Sequence, residues 1–238
     1  MTDAAPSNHQ PSKLDHQTHQ AGGDPAASMD RMYRYTRHVY DATRKFYLFG
    51  RDQLLRDLDT RPGDNVIEIG CGTARNLIKL AKMRPDITLF GIDASDQMLE
   101  TARTRIQAAG LADRITVRQG LAQELDAAHF GLDKPFDVPF FSYSLSMIPP
   151  WKESIDAALH HLAPGRSLYA VDFWDQQALP APFRWALTRW LHLFHVHHRP
   201  EMLAYLERLG DTQDFQLDLT SIMGRYAYIA RLTPATQP

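Results

Sequence analysis

The stretch Val66-Ile67-Glu68-Ile69-Gly70-Cys71-Gly72-Thr73-Ala74-Arg75-Asn76 limits what this chain can fold into more than any other. Its opening residues are apolar on consecutive positions, as in a parallel strand covered on both faces. They run into a turn with glycine at alternate positions. Such a turn lets backbone approach a ligand closely and points free N–H groups at it from the head of a helix. The expectation is strand, tight turn and helix, holding a nucleotide-like cofactor. Two neighbours narrow the choice: Glu68 lies two residues before Gly70, and Arg75 stands where a dinucleotide fingerprint needs its third glycine. Both count against a nicotinamide cofactor.

The same alternation of strand and helix continues downstream. Apolar spacing predicts a first strand at 65–69 and a helix through Ala74, Leu77, Ile78 and Ala81 that ends before Pro85. A second strand at 87–93 delivers Asp93 at its carboxyl end, where a ribose diol would be gripped. Ser95 caps a helix whose buried face is Leu99, Ala102, Ile106 and Ala109, and Gly110 stops it. A third strand covers 114–120. A fourth follows Pro135, with Pro139 expected among its first residues because proline removes a ladder donor. Trp151, Ile155, Leu159 and Leu162 mark a helix, 167–173 a fifth strand ending in Asp172, and Pro200 opens a last helix. The alternating 215–220 and 225–231 predict a terminal antiparallel hairpin. The fold class is therefore α/β, a doubly wound, mostly parallel Rossmann-like sheet.

The 238 residues, 44% of them hydrophobic, suffice for one good core, and a formal charge of -2 gives no electrostatic footprint for nucleic acid. The single cysteine, Cys71, needs no oxidising compartment and sits where a small residue fits a turn. No apolar run reaches the ~20 residues that span a bilayer, so the expected location is cytoplasmic. Residues 1–28 carry almost no large apolar side chain and read as a disordered tail. His9, His16 and His19 lack firm metal-ligand spacing, so no metal is expected.

From 29 to 60 the composition shifts to a helical cap with Tyr33, Tyr40 and Tyr47 at heptad spacing among Arg31, Arg34, Arg37, Arg44 and Lys45. The remainder, 61–238, forms the main domain and contains a basic, Trp-rich helical insertion at 180–210. Both segments suit either an apolar pocket roof or a membrane interface.

Glu68-x-Gly70-x-Gly72 with Asp93 about twenty residues later resembles the class I S-adenosylmethionine methyltransferases, with Ala74 in place of the third small residue of that turn. The resemblance implies S-adenosyl-L-methionine as cofactor and the strand order 3-2-1-4-5-7-6, strand 7 antiparallel. It also implies a cofactor site of Glu68, Gly70, Cys71, Gly72, Thr73, Asn76, Asp93, Ala94, Met98, Gln119, Gly120, Leu121 and Ser142. Leu121 stands where many relatives have an aspartate that meets adenine, so adenine must use backbone atoms, Gln119, or packing against Leu121 and Met98.

Methyl transfer needs a lone pair in line with the methyl group, and an amine acceptor must also lose a proton. The candidates to orient or deprotonate an acceptor are Tyr143, Ser144, Asp172 and His195. A finer resemblance rests on Tyr33-x-x-x-Arg37-His-Val-Tyr40, Tyr47-Leu-Phe-Gly50-Arg51-Asp52, Phe141-Ser-Tyr-Ser-Leu-Ser-Met-Ile-Pro149, Val171-Asp172-Phe173 and Gly224-Arg-Tyr226. These segments are similar to those of bacterial betaine-lipid N-methyltransferases, which methylate the amine of diacylglyceryl-homoserine three times. By that resemblance Tyr40, Tyr47 and Arg51 close over the methionine end of the cofactor, and Tyr33, Trp174 and Trp190 face the lipid amine. The partners are then a lipid substrate at the membrane surface and the 3-amino-3-carboxypropyl transferase that makes it. The alternative, a methyltransferase of a soluble small molecule or a quinone, shares the entire cofactor half.

Overall fold

Seven strands hydrogen-bond into one sheet in the order β3-β2-β1-β4-β5-β7-β6. The structure is a computed structural model, and it describes residues 48–178, 180, 182, 184–185, 189, 199–212 and 214–235. In chain order the elements are α1 (Arg51–Asp57), β1 (Asn65–Ile69), α2 (Arg75–Met83), β2 (Thr88–Asp93), α3 (Asp96–Ala108), β3 (Ile115–Gln119), β4 (Val138–Ser142), α4 (Trp151–His160), β5 (Leu168–Phe173), α5 (Pro200–Asp211), β6 (Phe215–Ile222) and β7 (Ala227–Pro234). Strands β1 to β5 pair in parallel; β7 runs antiparallel to both β5 and β6. The expected order and the reversed seventh strand are both present.

β1 is buried at all five positions, which is why its sequence shows no polar alternation. One face of the sheet packs Val66, Phe140 and Val171 against Leu54 of α1, Leu77 of α2 and Leu99 of α3. The other packs Ile67, Phe141 and Ala170 against Ile155 of α4, Leu206 of α5 and Phe130. Burying a leucine such as Leu77, fully enclosed here, contributes about 2 kcal/mol.

Helix ends follow the caps foreseen. The Ser95 hydroxyl accepts from the Met98 N–H at 3.4 Å. At the other end of α2, Arg114 donates to the carbonyls of Ala81 and Arg84 at 2.8 and 2.6 Å, meeting acceptors that a helix terminus leaves open. Pro139 is the second residue of β4, beside Ile67 of β1, so the missing donor falls at the strand's start.

Five details differ from expectation. Ile87 precedes β2 and Ala109 is the cap of α3. Leu162 leaves α4 to bridge Phe136. Two 3-10 turns, Ala122–Glu124 and Ala127–Phe130, fill the segment before β4; they seat Phe130 against Phe90 and Phe136, and such short turns carry no periodic signal. β7 extends to Pro234, beyond the alternating run.

At the edge remote from the glycine turn, Arg166 pairs with Asp64, both side chains largely enclosed. The parallel strands end together at the opposite edge, and the order reverses between β1 and β4. Ligands of such sheets bind at that switch point.

Candidate functional site

The turn after β1 is built by backbone geometry. Gly70 has φ 76°, and its N–H and that of Cys71 both donate to the Ile92 carbonyl at 2.8 and 3.0 Å. The Gly72 N–H donates to Asp93 Oδ2 at 2.7 Å, and Asp93 Oδ1 accepts from the Ser95 N–H at 2.9 Å. Asp93 therefore ties the end of β2 to the turn and to the head of α3. A carboxylate offers about four lone-pair directions, so a diol can be added to these bonds.

Glu68 is buried in the last turn of β1, and its Oε1 accepts from Asn76 Nδ2 at 2.6 Å. A cleft of about 230 Å³ opens over these groups, lined by Glu68, Gly70, Cys71, Gly72, Thr73 and Asn76, by Arg51 at the head of α1, and by Ser142 at the end of β4. The Ser142 hydroxyl is buried, lines the cleft and has no hydrogen-bond partner among the described residues. An acceptor-rich floor of this kind suits the cationic amino end of a ligand, and Arg51 suits its carboxylate.

Cys71 is buried, and burial, reinforced by the charges of Asp93 and Glu68, pushes its thiol well above the ordinary value. Its sulfur lies where a side chain on Gly91 of β2 would need room, 2.7 Å from that Cβ position. The thiol is packing, as the sequence suggested.

The residues expected around adenine lie along the ends of β2 and β3, outside the cleft lining. Gln119 Nε2 donates to the Ala94 carbonyl at 3.2 Å, and the Gly120 N–H to the Asp93 carbonyl at 3.1 Å. Met98 is buried and Leu121 half-buried. Two residues absent from the expectation, Arg75 and Arg105, also line the cleft. Arg105 donates to Thr73 Oγ1 at 2.6 Å; it is an exposed position of α3, and no sequence signal marks it.

On the acceptor side the expected groups separate. The Tyr143 hydroxyl donates to the Phe49 carbonyl at 2.5 Å, and its ring is buried edge-on to Phe173 at 4.7 Å. Burial raises its pKa well above the usual 10. The proton is engaged inside the protein and is not offered to an acceptor. Ser144 donates to the Ile69 carbonyl at 2.7 Å, so it fixes the loop after β4 to β1. Trp174 carries the Arg225 guanidinium at 4.7 Å from its ring centroid, and Arg225 is paired with Asp175. A cation of the protein thus already occupies a face expected to meet a substrate cation.

Asp172 lies at the end of β5, away from the residues that line the cleft. The side chain is fully buried, and burial pushes its pKa up to about 6 against the hydrogen bonds it accepts from Ser146 and Phe173. Oδ2 accepts from the Ser146 N–H at 3.0 Å and Oδ1 from the Phe173 N–H at 2.8 Å. Across the β5·β7 ladder it faces Tyr228, which the sequence reading missed. That hydroxyl is buried without a partner among the described residues, a condition that costs about 1–3 kcal/mol. Tyr33, Tyr40, Tyr47, Trp190 and His195 lie outside the described residues.

Residues 60–209 match the family model described as a methyltransferase domain. The chain belongs to this family. Its cofactor is S-adenosyl-L-methionine, which supplies a methyl group on a sulfonium; the Ser142 hydroxyl, Glu68 and the turn braced by Asp93 fit such a ligand. A demethylmenaquinone methyltransferase of Symbiobacterium thermophilum is 30% identical over 106 residues, 44% of this chain and 41% of that protein. A ubiquinone/menaquinone biosynthesis C-methyltransferase UbiE of Cereibacter sphaeroides is 26% identical, with 71% and 67% covered. The chain spans 41% and 61% of the length of two demethylmenaquinone methyltransferases that it matches. Among solved structures, a SAM-dependent methyltransferase from Aquifex aeolicus shares the fold with a TM-score of 0.59 and 17% identity, covering 84% of this chain and 96% of that one. The [4+2]-cyclase SpnF does so at 0.66 and 15%, covering 88% and 96%. No helix among the described residues of the methyltransferase is long and apolar enough to cross a membrane.

Proposed function

We propose that this methyltransferase passes the methyl group of S-adenosyl-L-methionine to a protic acceptor of the quinol class. The observation that carries the reading is the cleft at the β1–β4 switch point, where Glu68, the Asp93-braced turn and the Ser142 hydroxyl converge. In it Asp93 is assigned to the ribose, Glu68 and Ser142 to the amino end of the donor, and Arg51 to its carboxylate. Support for the acceptor class comes from the quinone methyltransferases among its relatives. C-methylation of a quinol starts from loss of a phenolic proton, and the end of β5 carries a buried carboxylate, Asp172, whose pKa burial pushes up to about 6.

A second reading, trimethylation of a homoserine lipid amine, is favoured by one specific observation. Segments carrying that resemblance, far apart in the chain, meet at the cleft rim: the Phe49 carbonyl accepts from Tyr143, the Phe49 ring lies 5.2 Å from that of Tyr226, and Arg51 lines the cleft. Both acceptors are carried by long apolar chains, so the enzyme would work at a membrane surface.

The test is substrate choice. Purified enzyme with labelled donor is offered a demethylated menaquinol and, separately, diacylglyceryl-homoserine made by co-expressing an aminocarboxypropyl transferase. Label in the quinol supports the first reading, label in the lipid the second. No label in either, with donor binding intact, overturns both acceptor assignments.

A further inference from the structure

The cleft accounts for the cofactor half of the molecule, but leaves a group of polar side chains behind it without an occupation. Tyr228 sits in the middle of a buried patch, 1% exposed, where phenylalanine would fill the same space. Its hydroxyl meets no partner among the described residues. Buried polar groups in folded proteins are almost always hydrogen-bonded, and an exception calls for a ligand or a function. Beside it in the ladder, Asp172 is enclosed to the same degree and accepts from the N–H groups of Ser146 and Phe173. The Ser146 hydroxyl, also buried, bears on that carboxylate and has no other partner among the described residues.

Three polar side chains, from the loop after β4, the end of β5 and the start of β7, thus share one spot at the carboxyl edge of the sheet. The other carboxylates near this edge are engaged: Glu68 with Asn76, Asp93 with the glycine turn, Asp175 with Arg225. Trp174 is half-buried and lies edge-on to Tyr228 at 6.2 Å between ring centroids. It is the side chain that an arriving head group would displace.

We infer that Asp172, Tyr228 and Ser146 form the subsite for the protic head of the acceptor, taking the O–H or N–H of the group that is methylated. The assignment rests on the methyl-transfer reading and adds residues to it. The Tyr228 and Ser146 hydroxyls hold the heteroatom, and its proton passes to an Asp172 oxygen. The lone pair left behind forms the bond to the methyl carbon, directly or through a conjugated ring carbon that then sheds its own proton to solvent. The C–S bonding pair stays on sulfur, leaving a neutral thioether. The titratable groups facing Asp172 are Tyr228 from β7, Tyr143 from the loop after β4, and Arg199 at the head of α5, whose charge favours the ionised carboxylate.

The experiment uses the full chain and the variants Tyr228→Phe and Asp172→Asn. Affinity for S-adenosyl-L-homocysteine is read by calorimetry, and turnover with 1,4-dihydroxynaphthalene and with diacylglyceryl-homoserine in mixed micelles. Both variants should bind the thioether within about twofold of wild type. On whichever acceptor is used, turnover should fall about tenfold in Tyr228→Phe and about a hundredfold in Asp172→Asn. The wild-type kcat/KM should climb with pH through about 6, and Asp172→Asn should lack that limb. The acceptor that is labelled identifies the source of the head group. Variants that turn over like wild type, or that lose thioether affinity in step with rate, overturn the subsite.

If wild type labels neither probe, the acceptor classes proposed above fail, and the melting temperature still judges the subsite. Removing a hydroxyl that awaits a ligand should leave the melting point of Tyr228→Phe unchanged or higher. A fall of more than about 3 °C would reveal an internal partner and overturn the proposal.

Discussion

Ser144 fills the space that a side chain on Gly70 would need: a Cβ there would lie 2.5 Å from the Ser144 Cβ. The two residues belong to the ends of neighbouring strands, and the Ser144 hydroxyl is already bonded to the Ile69 carbonyl. The cofactor turn is thus held from behind by the loop after β4. Gly70→Ala meets both this contact and a left-handed φ, and should cost about 2–3 kcal/mol. Chemical denaturation measures that loss, and calorimetry should show donor affinity falling at least about tenfold. Adding Ser144→Gly should recover part of the stability but leave the backbone strain.

Asp172 makes stability depend on pH in a direction opposite to most carboxylates. Its pKa is about 6 in the folded protein against an ordinary 3.8, so the folded state holds the proton more tightly. Its contribution is favourable below pH 4, declines as pH rises through about 6, and is level above that, a total of about 3 kcal/mol. Asp172→Asn removes this dependence. Urea denaturation at pH 4.5 and 7.5 should show the variant gaining on wild type at the higher pH; a constant difference would contradict the assignment.

Arg166 and Asp64 are enclosed together at the far edge of the sheet. Removing one partner leaves a buried charge, so Arg166→Leu should destabilise by about 3–5 kcal/mol. Because the pair is remote from the cleft, the affinity for S-adenosyl-L-homocysteine of the protein that remains folded should not change.

Cys71 is held as a thiol by burial beside Asp93 and Glu68. A thiol reagent at pH 8 should leave the native protein unmodified and react once denaturant is added. Native labelling at the rate of a free thiol would show that the turn opens.

The inner parallel strands β1, β4 and β5 were legible because each is buried along its whole length and largely apolar on successive residues, whereas the edge strand β3 is buried only at Ile115 and Val117. The acidic and glycine positions were legible because a close-approach turn admits few residue types. Ala74 shows the limit of such matching. It takes the left-handed conformation a glycine would supply, φ 59°, with its methyl fully buried. Strain of about 1 kcal/mol is offset by about 0.8 kcal/mol for the buried methyl, so the substitution is nearly neutral. The acceptor side was harder to read because hydroxyl direction is decided by tertiary contacts. Tyr143 and Tyr228 look alike in sequence; one spends its proton on the Phe49 carbonyl and the other is unpartnered among the described residues. Arg105 was missed because its role arises from how α3 lies against the turn.

Phe49 is fastened by Tyr143 through its carbonyl and by Tyr226 through its ring, two residues from Arg51 at the lip of the cleft. β7 instead runs away from that lip, bringing Leu232 beside Leu168 at the start of β5. A label for immobilisation therefore belongs on the distal end of β7, near Leu232, where it leaves the mouth of the enzyme clear.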